Sequence, residues 1–247
     1  MASSRTLPAN RRDAAAALTS DLRRIFGARL RAIVAYGLHD AQDTGPLHTL
    51  ALVDGMTFAD LAACAPATAS WKQQALAIPL LISLDEFRRT LDVFPLEYDH
   101  ILNDHVAIEG ANPFDGIHVP ESDLRRACEV QAKSHLIHLR EGFLEGSREP
   151  RAIAGLIASS AGAFRSLLVD IARLDRHGGH AAGEVGRSDD AIADAARQTI
   201  GLPADVVREV LAAERTMATA VDPTALLARY IEAAEHVWRY VDRWRAE

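Results

Sequence analysis

The chain has 247 residues, 49% of them hydrophobic, which excludes global disorder and leaves room for one large or two modest domains. Its net charge of -7 argues against binding to a phosphate backbone, which needs a basic face, so no nucleic-acid partner is expected. Residues 1–20 hold no apolar signal segment, and no run of apolar residues approaches the length of a membrane span. We therefore expect a cytoplasmic protein with no membrane partner.

The first half of the chain alternates between helical and strand-like patterns. Apolar residues at helical spacing predict an amphipathic helix from Ala14 to Leu30. Thr57 and Ser83 are predicted N-caps of short helices, and Glu86 completes a capping box with Ser83. Runs of β-forming residues that end at turn residues predict four strands, namely Leu30–Tyr36, Leu47–Val53, Pro79–Ser83 and His105–Gly110.

One further stretch, Leu91–Glu97, is predicted to form a strand before a brief helical turn from Asp99 to Asp104. It reads Leu-Asp-Val-Phe-Pro-Leu-Glu and would place Asp92 among the strand positions. A strand here would carry a carboxylate into the sheet.

The pattern changes after Pro120, where long segments repeat at helical spacing through to the C-terminus. The predicted division is therefore an α/β domain over residues 1–118 and a helical bundle over residues 119–247. A glycine-rich segment from Arg176 to Arg187 predicts a flexible loop within the bundle. The predicted fold class is α+β: a mixed sheet with flanking helices, followed by an all-α bundle.

Two features of the first domain resemble the polymerase-β-like nucleotidyltransferases, especially small bacterial members with a helical C-terminal domain. They are Ala35-Tyr36-Gly37 at the end of the first strand and Asp92 in the later strand. In that family a glycine turn after the first strand grips the nucleotide triphosphate. The second strand carries an Asp-x-Asp or Asp-x-Glu pair, and a later strand adds a third carboxylate. The resemblance implies a nucleotidyltransferase-like sheet with the bundle over the cleft.

The second strand lacks the acid pair of that family. Its alternating positions are His48 with Leu50, or Thr49 with Ala51, and neither phase holds a carboxylate. Two of the three ligands for a pair of Mg²⁺ ions are therefore missing. Leu38 also stands where the family has a hydroxyl or a second glycine, which removes a donor and adds bulk beside the triphosphate turn.

These observations predict a catalytically degenerate protein that binds a nucleotide, another small anionic ligand or a partner protein, with no bound metal or other cofactor. Asp92 and Glu129 are remnant catalytic candidates, since related small-molecule adenylyltransferases place a general base on the first helix of the bundle. The predicted ligand-binding residues are Gly37, Leu38, Thr49, Ala51 and Asp92.

Two alternatives stay open. One is an active metal-dependent nucleotidyltransferase that acts on a small hydroxylated substrate, in which Asp92 and a loop acid hold Mg²⁺; the loop candidates are Asp40, Asp43 and Asp54. The other is a structural or interaction protein whose bundle forms an oligomer. A cleft filled by Leu38 or Leu50 would favour this last interpretation.

The remaining patterns are interpreted as structural. They are the His135–His138 pair at a zinc-compatible spacing, Arg173 with His180 in the pattern of helical nucleases, the aromatic residues Trp238, Tyr240 and Trp244, and the free thiols Cys64 and Cys128.

Overall fold

A computed structural model describes residues 6–38, 45–146, 149–175, 188–216 and 221–245. The chain divides into two compact units, Met1–Val119 and Pro120–Glu247. Asp40, Asp43, His180 and the predicted loop from Arg176 to Arg187 lie outside the described residues.

The first unit is built around a mixed sheet. Its described strands are β1 (Leu30–Tyr36), β2 (His48–Val53), β3 (Leu80–Ile82) and β4 (His105–Glu109). Its described α-helices are α1 (Arg12–Phe26), α2 (Phe58–Cys64), α3 (Thr68–Gln73), α4 (Leu84–Arg89) and α5 (Pro95–Asn103). The strand order is β3-β2-β1-β4, with β1 antiparallel to both neighbours and β3 parallel to β2. The four strands predicted from β-forming runs and turn residues are confirmed.

One face of this sheet is buried under α1. Leu18 and Leu22 of α1 belong to the same apolar cluster as Ile33 of β1 and Ala51 of β2, and none of these side chains is exposed to solvent. The one-sided apolar pattern of α1 explains this packing, because residues three and four apart line one face of a helix. At the N-terminus of α2, the predicted cap Thr57 forms a full capping box.

The predicted strand Leu91–Glu97 is wrong. Residues 91–94 form a turn, and α5 begins at Pro95, so the short helix predicted from Asp99 starts four residues earlier. Proline suits the first position of a helix because it has no backbone N–H to leave unpaired there. Val93 and Phe94 are 58% and 49% exposed, unlike side chains inside a sheet.

The described secondary structure of the second unit is helical. Its helices are α6 (Glu121–Glu145), α7 (Pro150–Leu174), α8 (Asp189–Thr199), α9 (Ala204–Thr216) and α10 (Pro223–Arg243). One apolar stripe of α6 is buried along most of the helix, through Leu124, Cys128, Ala132, Leu136 and Leu139. The Asp222 side chain caps α10 at the Thr224 and Ala225 amides.

Among the described residues, α7 alone is long and apolar enough to cross a membrane by length and composition. The sequence analysis expected no segment with the length and apolar composition of a membrane span, so α7 differs from that expectation. Within the unit, α7 packs against α6, α9 and α10, and Ile157, Phe164 and Ile171 are fully buried. Burial in a helical core explains the apolar composition of α7.

Candidate functional site

The candidate site lies where β1 ends and β2 begins. Gly37 follows the last residue of β1 and has a φ of 69°, a left-handed conformation that suits glycine. In the antiparallel register Tyr36 faces His48, Ala35 faces Thr49 and Ile33 faces Ala51. The structure therefore brings the predicted ligand residues Gly37, Thr49 and Ala51 to the same two strands.

Thr49 and Ala51 lie on the sheet face that packs against α1. Side chains alternate along a strand, and Ala51 belongs to the apolar cluster on that face, so Thr49 points the same way. Thr49 is only 1% exposed, and its hydroxyl oxygen has no hydrogen-bond partner among the described residues. The half-buried Leu38 packs against the same cluster. These positions therefore offer one buried hydroxyl in apolar surroundings.

The other phase of β2 is equally poor in metal ligands. His48 is exposed at the start of the strand, and Leu50 is completely buried. Mg²⁺ prefers several oxygen ligands, usually including carboxylates. The side chains that β2 supplies do not fit a Mg²⁺ site. In the described ranges, no group of three or more His, Cys, Asp or Glu side chains is placed to hold a metal ion.

The acidic candidates are placed away from these strands or are already paired. Asp92 is exposed on the turn between α4 and α5, so it does not reach the sheet as a strand residue. Asp54, which follows β2, forms an ion pair with Arg31. On α6 of the second unit, Glu129 forms an ion pair of 2.9 Å with Arg125.

A row of three ring side chains across the sheet was missed by the sequence analysis. Tyr36 of β1 is in register with His48 of β2 on one side and His105 of β4 on the other. The ring centroids of Tyr36 and His48 are 5.8 Å apart. Burial raises the pKa of the Tyr36 hydroxyl, which keeps it a neutral hydrogen-bond donor. Only strand register joins these residues, because His105 is far from the others in sequence.

His105 is the fixed end of this row. Its Nδ1 lies 2.9 Å from the Ile101 carbonyl oxygen, and its Nε2 lies 3.0 Å from Oδ1 of Asn112. His48, in contrast, is exposed, so its imidazole is accessible to a ligand. The chemistry available at this edge of the sheet is therefore imidazole and phenol hydrogen bonding beside a glycine turn.

The histidine pair of α6 is structural. His135 is buried, its Nε2 lies 2.7 Å from the Tyr230 hydroxyl, and its ring stacks on Phe164. Burial, with a smaller contribution from His138, lowers the pKa of His135 to about 4. His138 is exposed beside Glu141. His135 therefore lies between helices, in agreement with its interpretation as a structural residue.

The structure also places the two cysteines and Trp238, which the sequence analysis interprets as structural. Cys64 and Cys128 are buried and form no disulfide bond within the described part of the chain, as predicted. Trp238 packs under the Lys133 ammonium group, whose nitrogen lies 3.7 Å from the ring centroid.

A solved structure has the same arrangement of elements at very low sequence identity. It is the crystal structure of spectinomycin adenyltransferase from Enterococcus faecialis with ATP and spectinomycin. The TM-score is 0.54 with 10% identity, and the match covers 94% of this chain and 99% of that chain. The chain has a nucleotidyltransferase-like fold. At this identity the likeness shows the fold alone.

The nucleotidyltransferase-like fold confirms the predicted fold class, a mixed sheet with flanking helices followed by a helical region. No family model matches the sequence, and a comparison with curated proteins finds no match.

Proposed function

We propose that this protein is a catalytically degenerate nucleotidyltransferase-like protein that works by binding. The observation that carries the proposal is the content of β2. Thr49 and Ala51 occupy one phase of the strand that carries the acid pair in the resembling family, and both are buried on an apolar face. Metal-dependent transfer needs carboxylates held firmly on the sheet.

Two further observations support the loss of catalysis. Leu38 packs against the cluster beside the glycine turn, so bulk occupies a place where a triphosphate needs close approach to the backbone. Asp92 lies on an exposed turn, where a carboxylate is solvated and has no neighbouring ligands to orient it towards a metal ion.

We propose a nucleotide or another small anionic ligand as the partner at the edge formed by Tyr36, Gly37 and His48. His48 is exposed, and the Tyr36 hydroxyl remains a donor at neutral pH. The adenyltransferase of the same fold was solved with ATP, which makes ATP the first ligand to test.

The test is isothermal titration of the full chain with ATP, with and without Mg²⁺, combined with an assay for pyrophosphate release. We expect binding that does not require Mg²⁺ and no pyrophosphate release. His48→Ala should weaken binding, while His118→Ala, a change at another exposed histidine, should leave it unchanged. Mg²⁺-dependent turnover that disappears in Asp92→Ala would instead establish the active enzyme.

A structural or interaction role is the second candidate, and the filled sheet face favours it. Leu50 and Ala51 are fully buried and Leu38 packs inward, as expected if the ancestral cleft has become core. This candidate predicts no binding of ATP or inorganic phosphate at millimolar concentration. It also predicts an oligomer detectable by sedimentation equilibrium.

A further inference from the structure

A groove in the second unit follows the last two turns of α10. It is lined by His236, Arg239, Tyr240, Arg243 and Trp244, and its volume is about 400 Å³. These residues are spaced by three and four positions, so they lie on one face of the helix. The volume is in the range of small-molecule sites.

The groove contains a guanidinium group without a partner. Arg243 forms no hydrogen bond or ion pair with any described residue. One turn earlier, Nη2 of Arg239 donates to Oε1 of Glu235 at 2.6 Å, which leaves its other N–H donors available. Arg208 and Arg229 of the same unit each contact two carboxylates, whereas the exposed guanidinium of Arg243 contacts none among the described residues.

The other polar groups of the groove are held in place by neighbouring helix ends. The Tyr240 hydroxyl lies 3.4 Å from Oδ1 of Asp175, just after α7, and burial together with this carboxylate raises the pKa of Tyr240 to about 12. Nε2 of His236 lies 2.9 Å from the Ile200 carbonyl oxygen, just after α8, and therefore donates to it. The half-buried Trp244 indole closes the row.

Basic residues near a helix C-terminus have a simpler explanation, since they offset the partial negative charge of the terminal carbonyl groups. That explanation accounts for the charges of Arg239 and Arg243. It requires neither a groove nor aromatic rings that alternate with the guanidinium groups on the same face.

We propose that this groove binds a small organic anion that carries a phosphate or carboxylate group on an aromatic ring. Arg243 and Arg239 contact the anionic group, since guanidinium groups form paired hydrogen bonds with such oxygens. Trp244 and Tyr240 contact the ring. The site lies entirely within the second unit. A failure to bind ATP at the β1–β2 edge would therefore not contradict this proposal.

The experiment titrates the full chain with phenyl phosphate, benzoate, inorganic phosphate and phenol, and follows binding by calorimetry and tryptophan fluorescence. We expect saturable binding of phenyl phosphate or benzoate, and weaker binding of inorganic phosphate and of phenol. The fluorescence change should be lost in Trp244→Phe, which distinguishes this indole from Trp71 and Trp238.

Arg243→Gln should weaken phenyl phosphate binding about tenfold, as expected for loss of a charge-assisted hydrogen bond. The matched control is Arg245→Gln, because the Arg245 guanidinium is exposed and donates to the carbonyl oxygens of Asp242 and Trp244. Thermal melts of both variants check that the fold is kept. No saturable binding of any probe, or equal losses in the two variants, would overturn the proposal.

Discussion

The molecule buries polar side chains in two contrasting ways. In the sheet, Thr49 is 1% exposed, and its hydroxyl has no hydrogen-bond partner among the described residues. In the helical unit, the 8% exposed His135 has Tyr230 at 2.7 Å and Phe164 stacked on its ring. A buried polar group with no partner costs about 1–3 kcal/mol, while a paired one contributes a modest net stabilisation.

The difference shows that the helical unit provides partners for its buried polar side chain, whereas the sheet does not. At His135 the surrounding residues supply an acceptor or donor and a ring surface, and Ser160 extends the contacts of Tyr230. At Thr49 the surroundings are those of an ordinary core, with Leu47 and Ala51 on the same face. The strand that would hold catalytic acids is thus built for apolar packing. Three variants or conditions probe this contrast.

The largest expected effect comes from returning a carboxylate to β2. Thr49→Asp buries a charge with no cation beside it, so we expect a loss of about 3–5 kcal/mol in the free energy of unfolding. Urea denaturation measures this loss. The neighbouring change His48→Asp is the control, because His48 is exposed and the same charge there stays in water.

The opposite result would be equally informative. Suppose that Thr49→Asp were as stable as the wild type and gained thermal stability when Mg²⁺ was added. The face of the sheet that holds Thr49 would then be a metal site that had lost one carboxylate ligand. The degenerate interpretation would then need to be replaced by that of a recently altered enzyme.

The elements of the first unit show how far secondary structure could be predicted from the sequence. The β1 and β2 strands follow from β-forming runs that end at Gly37 and Asp54-Gly55, and such turn signals are local. Leu91–Glu97 failed because a short apolar run before proline fits either a strand or the approach to a helix. The buried residues of α5 show which pattern was present, since Pro95, Tyr98 and Ile101 recur every three residues, which is helical spacing.

The contacts around Tyr36 and His135 could not be predicted from the sequence, because they join residues that are far apart along the chain. His135 meets Tyr230 across 95 residues, and Tyr36 meets His105 through strand register. The absence of a carboxylate pair on β2 was readable directly, because it depends only on residue identity and alternation. What replaced the pair, a closed apolar face that includes Thr49, required the packing of α1.

The second effect is a dependence of stability on pH that comes from the helical unit. His135 has a pKa of about 4 in the folded protein, below the ordinary value of 6.5, so folding favours its neutral form. Its contribution is fully present above pH 6.5 and is lost as pH falls from 6.5 towards 4, by roughly 3 kcal/mol in total.

Urea denaturation at pH 7 and pH 4.5 measures this dependence. In His135→Gln the difference between the two pH values should shrink, because the group that resists protonation is gone. In His138→Gln most of it should persist, since His138 is exposed and makes only the smaller contribution to the lowered pKa of His135. Equal pH dependence in the wild type and His135→Gln would show that burial of His135 does not set the acid response.

The smallest expected effect is the most direct test of the Thr49 environment. Thr49→Val removes the hydroxyl at nearly constant shape, so in an apolar core we expect no loss of stability and a gain of up to about 1 kcal/mol. Thr49→Ser is the control, because it keeps the hydroxyl and removes a methyl group that contributes about 0.8 kcal/mol when buried. If valine instead cost more than the serine control, the hydroxyl would have a partner in solution. A ligand that is protective only in the presence of Thr49 would then identify that partner and make this hydroxyl part of a binding site.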